Sequence, residues 1–378
     1  MSDKKIQPKA KENTSRSVSG RTKALVCVAA AIVVVAVIAL VVVFSGGQPS
    51  NAAAKVGNTY ITEDQVTEKI EEYRKNYSLT DDSDFASFLK YYGQTVSQFR
   101  ESAINEIATE LLVEDRAKEL GISVSDQEVD AYYNQIKGDN DTSEGSAWAN
   151  ALESIGMTED TLKQRYKYIV LQDKVFAADV PERDATDDEV LSYAQTYLSG
   201  TIQMHVAHIV IKGDDAATRA DACYQAIVAA RDAGTLNAST FADFARQYSD
   251  EENVQQTGGA VGWTGSGLIS SDVLEIMSED DEAEIGEGTL FGLIESSEEQ
   301  GSYEIAYVDE AYTVPTVSSG MSVADLGAPD GLLEAIRTAA KEEAYTSDCS
   351  SYLTKLLEAA SVQYYSMPSN APYNVSLS

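Results

Sequence analysis

Few groups in this chain could do chemistry. Its 378 residues hold two histidines, His205 and His208, and three cysteines, Cys27, Cys223 and Cys349. The histidines stand three apart in "TIQMHVAHIVIK" (201–212), an alternating, β-branched run that predicts a strand. Residues three apart on a strand face opposite sides, so the pair does not converge on one ion. A zinc site needs three or four converging ligands, and no metal is expected. There is no GxSxG elbow, GxxxxGK[ST] loop, GxGxxG fingerprint or HExxH helix, which argues against the chemistries those motifs serve. No cofactor is expected either. His208 shares its face with Met204, Val206 and Val210. It reads either as a satisfied core histidine or as a working group in an apolar recess. His205, beside Gln203, is expected to be solvent-facing or structural.

A second stretch raises a question of its own. "QYSDEENVQQTGGAVGW" (247–263) runs from a tyrosine through an acidic loop into a glycine pair and an apolar end at Trp263. Glycines let the chain turn tightly out of a polar loop into a buried strand. The elements around it order as β-α-α-β-α-β-β over about 110 residues: "TIQMHVAHIVIK", "ATRADACYQAIVAARDAG", "STFADFARQYSD", "GAVGW", "SSDVLEIMS", "GTLFGLIES" and "GSYEIAYVD". That predicts a compact α+β unit.

Helices are predicted on either side of it. "TEDQV" (62–66), "SDQEV" (125–129) and "TDDEV" (186–190) have the spacing of capping boxes. "ESAINEIATELLVEDRAKELG" puts Ile104, Ile107, Leu111 and Leu112 on one stripe and stops at Gly121. After Pro315 and Pro329 comes a last helical pair, "GLLEAIRTAAKEEAY" and "DCSSYLTKLLEAASV". A lone terminal helix does not bury its own stripe, so this pair is expected to return to the earlier helices. The expected organisation is a tail 1–23, an apolar span 24–44, a linker 45–54, a helical domain 55–195, an inserted α+β domain 200–312, a linker 313–330, returning helices 331–365 and a tail 366–378.

Charge divides the chain. Residues 1–23 carry seven basic and two acidic side chains, a net +5, which leaves −38 of the total −33 on the remainder. A body so acidic repels phosphate backbones, and no nucleic-acid partner is expected. The 21 residues 24–44 are apolar and uncharged, enough helix to cross a bilayer core of about 30 Å. With the basic flank before them, the N-terminus is expected to stay cytoplasmic as a single-pass anchor and the body to be exported. A cleaved signal is the alternative, although signal cores are usually shorter, about 7–15 residues. Whether Cys223 and Cys349 pair is left open, as is a homodimer.

The α+β unit resembles the parvulin family of peptidyl-prolyl isomerases, which implies a small antiparallel sheet flanked by helices. "VAHIVIK" occupies its histidine-bearing first strand. Phe241, Ala242, Ala245, Tyr248 and Ser249 match its "FAxxAxxYS" helix. Gly258, Gly259, Val261, Gly262 and Trp263 match its "GGxLG(W/F)" run. The flanking helices resemble the chaperone region of SurA/PrsA-type extracytoplasmic foldases, with "KVGNTYITEDQV" at their start and "YLTKLLEAASVQYY" as their return. The resemblance implies a catalytic centre at His208, Glu251 and Glu304, and a substrate slot of Val261, Trp263, Ile269 and Val273. Glu304 stands where the family has a second histidine, and Ile269 and Val273 replace a larger methionine and phenylalanine. Two carboxylates flanking His208 would hold it protonated. Lys212 among Asp214, Asp215 and Asp221 argues against phosphorylated substrates. The implied partners are unfolded exported proteins and proline-containing peptides. The implied function is a membrane-anchored foldase in a cell envelope. The alternatives are a holdase with an inert isomerase unit and an acidic surface protein. The helical part supplies Tyr73, Tyr77, Phe85, Phe88, Tyr91, Tyr92 and Phe99 for core or client contacts.

Overall fold

The structure, a computed structural model, describes residues 48–140, 148, 152, 157–264, 269–279, 285–297 and 301–377. The basic tail 1–23 and the apolar span 24–44 lie outside the described residues. Among the described residues, no helix is long and apolar enough to cross a membrane. The architecture mixes helices with two small antiparallel sheets. The chain divides into two compact units. In their described parts, one is built from residues 190–296 and 301–339, the other from residues 48–189 and 340–377.

The second of these is mainly helical. It begins with strands β1 (Ala52–Val56) and β2 (Thr59–Thr62) and continues through α1 (Glu63–Asn76), α2 (Asp82–Tyr91), α3 (Val96–Leu120), α4 (Asp126–Asn140) and α5 (Glu159–Asp179). All three capping boxes form: Thr62 with Gln65, Ser125 with Glu128, and Thr186 with Glu189 each exchange backbone and side-chain hydrogen bonds. The α3 stripe is buried as its spacing dictates, with Ile104, Ile107 and Leu111 in the core beside Ile61, Ile70, Phe85 and Leu89. Gly121 ends α3 in the left-handed conformation at φ 68°.

The chain's last segment returns to this core. Strand β7 (Gln363–Tyr364) pairs antiparallel with β1, giving a sheet ordered β2-β1-β7. Tyr373 is fully buried, and its hydroxyl donates to Glu63 at 2.7 Å. Arg100, itself buried, pairs with Glu63 and donates to the Ala53 and Tyr365 carbonyls at 3.3 and 3.2 Å. One guanidinium thus ties α1, β1 and the returning segment. A buried charge is tolerable when it is paired and hydrogen-bonded in this way.

The other unit holds a four-stranded antiparallel sheet ordered β4-β3-β6-β5, from β3 (Ile202–Ile211), β4 (Ala260–Trp263), β5 (Leu290–Glu295) and β6 (Tyr303–Thr313). A short helix, α6 (Asp187–Tyr193), leads in. Helices α7 (Ala216–Asp232) and α8 (Ala238–Tyr248) follow β3, a one-turn α9 (Val254–Thr257) precedes β4, and α10 (Ser271–Glu279) follows it. One face of the sheet presents Ala207, Ile209, Ile211, Ile305 and Tyr307 to α7 and α8, with Phe241 stacked on Tyr307. The opposite face presents Val206, Ala306 and Val308 to Ile269, Val273 and Met277. Strand alternation accounts for this two-faced burial.

Two elements differ from expectation. The last helical pair is one continuous helix, α11 (Asp330–Ala360), running through "YTSDCSSY". Its polar residues there sit on exposed or half-buried positions, while Cys349, Tyr352 and Leu353 pack against Phe176, Val180 and Val175. The expected linker 45–54 contains the start of β1. Its three alanines are buried, because strands on both sides cover them. Cys223 and Cys349 are both buried and free.

Candidate active site

His208 lies in the second half of β3, on the face of the sheet that carries Val206. Across the ladder stands Ala306, and its β6 neighbour on the same face is Glu304. His208 donates from Nδ1 to Glu304 and from Nε2 to Glu251 at 3.0 Å. The imidazole is 14% exposed, Glu304 10% and Glu251 36%, so the cluster opens toward solvent on the Glu251 side. Burial alone would push the imidazolium's pKa down. The hydrogen bonds and charges of the two carboxylates outweigh it and bring His208 up to about 9. The hydrogen bond from His208 in turn draws Glu251 below the usual carboxylate range. At neutral pH the imidazole is therefore cationic, with both ring N–H groups engaged by carboxyl groups.

The loop after α8 aims Glu251. Ser249 Oγ accepts from Val210 N at 3.1 Å, and Asp250 N donates to Val210 O at 2.8 Å. The Asp250 carboxylate accepts from Lys212 N at 2.8 Å and takes both arms of Arg219 at 2.9 and 3.0 Å. The next residue, Glu251, then reaches His208. The "YSDE" tetrapeptide thus fastens its loop to β3 by its middle residues and presents its last one.

The glycine pair acts at the same place. Gly258 ends α9 at φ 63°. Gly259, at φ 81°, accepts from His208 N at 2.8 Å through its carbonyl. A Cβ at Gly259 would overlap the His208 carbonyl oxygen and come within 2.9 Å of the Ala245 Cβ. The pair therefore lets one strand lie directly against the backbone of the histidine as well as allowing a turn.

Sequence did not single out Ser270. Its Oγ donates to Glu304 Oε2 at 2.6 Å and accepts from Val273 N at 3.3 Å, so the start of α10 is tied to the carboxylate that holds His208. A serine before a short helix reads only as a cap, and its second partner lies 34 residues away.

The other expected site residues separate into two groups. Ile269 and Val273 are buried beside Val206, Phe291 and Met277, with Val261 at the edge of that cluster. They form the apolar floor beneath the His208 face. Trp263 pairs with His205 across the ladder and meets its ring edge-on at 5.5 Å. Cross-strand partners share a face, so Trp263 stands on the side away from His208. His205 is not simply solvent-facing: its Nδ1 lies 2.6 Å from Asp309 Oδ1, and that hydrogen bond raises its pKa. Among the described residues, no group of three or more His, Cys, Asp or Glu is placed to hold a metal ion.

Two parts of the chain match known protein families. Residues 19–176 match the SurA-like N-terminal domain, and residues 208–305 match the PPIC-type peptidyl-prolyl isomerase, or rotamase, domain. No curated protein matches. Among solved structures, the chain is similar to one of the SurA-like chaperones PEB4 and Cj1289 of Campylobacter jejuni, with 15% identity, a TM-score of 0.38, and 84% of this chain and 100% of that one covered. It is also similar to the foldase protein PrsA of Streptococcus pneumoniae, at 16% identity, a TM-score of 0.32, and 82% and 93% coverage. The chain thus joins a SurA-like N-terminal domain to a rotamase domain of the PPIC, or parvulin, type.

Proposed function

We propose that this protein is an extracytoplasmic foldase, held to the membrane by residues 24–44 with its N-terminus in the cytoplasm, whose rotamase domain isomerises X–Pro bonds at modest rate. The observation that carries the enzymatic part is His208 clamped between Glu251 and Glu304 on one face of the rotamase sheet. Its domain composition supports unfolded or partly folded proteins as substrates.

Isomerisation needs no nucleophile. The barrier, roughly 18–20 kcal/mol, is the loss of amide resonance on twisting. In the planar amide the carbonyl oxygen carries extra negative charge, which it gives up in the twisted form. A net-negative cluster beside that oxygen disfavours the planar state more than the twisted one, and that difference is catalysis. A unit charge at 4 Å and an effective dielectric of about 20 is worth roughly 4 kcal/mol. The oxygen changes by a fraction of a charge, so the gain is about 1 kcal/mol, or several-fold in rate. Glu251, the most exposed member, is placed to make that contact. The apolar floor of Ile269 and Val273, with Val261 at its rim, would take the proline ring.

The second reading, a holdase with an inert rotamase unit, is favoured by one observation. Tyr77, Tyr91 and Tyr92 are exposed, the last two at 83% and 61%, and are backed by Tyr73 and Phe88 in ring contact. Such a face suits adaptable contacts with unfolded chains. Proline-limited refolding of a denatured protein separates the two readings. Acceleration by the wild-type protein that is lost in His208→Ala supports the foldase. Suppressed aggregation with no acceleration by either protein transfers the function to the holdase.

A further inference from the structure

The two histidines have different roles, and we infer that His205, with Asp309, is the positioning pair that sets the strand register on which the His208–Glu304 contact depends. Strand β6 pairs with β3 in two registers. Met204 faces Ala311 and His205 faces Glu310, but the next residue, Val206, faces Val308. Asp309 is therefore the extra residue of a β-bulge. Packing reports the same slip. Ala306 and Val308 face α10, yet beyond the bulge the β6 residue packed on that face is Ala311, so the parity has changed from even to odd.

The consequence for the site is direct. If the outer register continued without a bulge, Tyr307 would stand opposite His208 and Glu304 opposite Ile211. Ile211 lies in the core under α7 and α8. A one-residue slip moves a side chain to the other face of a sheet, so Glu304 would point into that apolar core, away from His208. The bulge brings it to the histidine. The side chain of the bulged residue is itself held, with Asp309 Oδ1 2.6 Å from His205 Nδ1, in a half-buried pair flanked by Trp263. The other neighbour of β3 slips one residue further along: Val206 faces Gly262 and Ala207 faces Ala260, leaving Val261 as an extra residue on β4. Both ladders of β3 are interrupted within two residues of His205, and the His205–Asp309 pair fastens the one with β6.

The functional consequence rests on the reading of His208 and Glu304 as the working site, but the register can be measured without activity. The test is NMR titration of the histidine-labelled protein. In His205→Ala, His208 is the chain's single histidine, so its signal is unambiguous. Its midpoint is expected to fall from about 9 toward the ordinary 6.5 and to match that of Glu304→Gln. The His205→Ala/Glu304→Gln double variant should fall no further, since both changes remove the same contact. His205→Lys, which returns a cation to Asp309, should recover the high midpoint. A folded His205→Ala with a midpoint near 9, or additive falls in the double variant, overturns the assignment. If His205→Ala does not fold, Asp309→Asn carries the same measurement, and a wild-type midpoint there overturns it equally. Failure of the wild-type protein to isomerise any peptide would defeat the proposed function while leaving these titrations to decide the register.

Discussion

Replacing Gly259 by alanine separates steric from conformational demands at the site. Two costs are built into the position. The backbone stands at φ 81°, where an L-residue other than glycine loses roughly 1–2 kcal/mol. The added Cβ would also overlap the His208 carbonyl oxygen and crowd the Ala245 Cβ. Neither neighbour is the free end of a flexible side chain, so the strands must separate, which costs a further 1–3 kcal/mol or so. Gly234 is the control. It ends α7 at φ 68°, and a Cβ there meets nothing within 4 Å, so Gly234→Ala carries only the first cost. At roughly 2–4 °C per kcal/mol for a unit of this size, Gly234→Ala should lower the melting of the rotamase unit by about 3–5 °C and Gly259→Ala by about 8–15 °C. Calorimetry of the two variants beside the wild type makes the comparison. Because the chain has two units, the transition that moves in Gly234→Ala identifies the rotamase unit. Equal shifts in the two variants would refute the close approach of Gly259 to His208.

Three further outcomes follow from the charges. The isomerisation rate should be flat from about pH 6 to 8 and break near pH 9, where His208 loses its proton and the charge of the cluster changes; a break near 6.5 would mean an unclamped histidine. The sign for stability is the same: a raised folded-state value gives stability that is complete below about 6.5 and lost as pH rises through about 9. Glu304→Gln should lower the His208 midpoint by more than one unit and the rate several-fold, read by histidine NMR and peptide exchange. In the helical unit, burial outweighs nearby Lys69 and pushes Glu110 up to about 7. The folded unit then binds more protons than the unfolded chain between about 4.5 and 7, so its stability should fall as pH rises through that window. The expected loss is on the order of 2 kcal/mol, visible as a urea midpoint lower at pH 8 than at pH 5 and diminished in Glu110→Gln.

The parts of the fold and candidate site that sequence made legible are those written in local spacing. The β3 alternation, the three capping boxes and the α3 stripe each need only residues within one element, and each formed. The juxtaposition of His208 with Glu251 and Glu304 was expected from family resemblance, since the partners lie 43 and 96 residues away. What stayed hidden depends on distant pairing. Ala52–Ala54 look like linker because their burial comes from Gln363–Tyr364, some 300 residues on. Polar residues in α11 resemble a break because the apolar positions that keep the helix packed lie on the neighbouring turns. Ser270 carries no motif, and the bulge at Asp309 is invisible until two strands are laid side by side.

The most direct measurement of the central claim is cis–trans exchange at proline in a short unphosphorylated peptide, followed by NMR with the wild-type protein and with His208→Ala. Without the imidazole that holds Glu251 in place, the carboxylate is no longer fixed beside the substrate oxygen, so the account predicts acceleration by the wild type that drops toward the uncatalysed rate in the variant. No acceleration by folded wild-type protein, or equal acceleration by both, would contradict it.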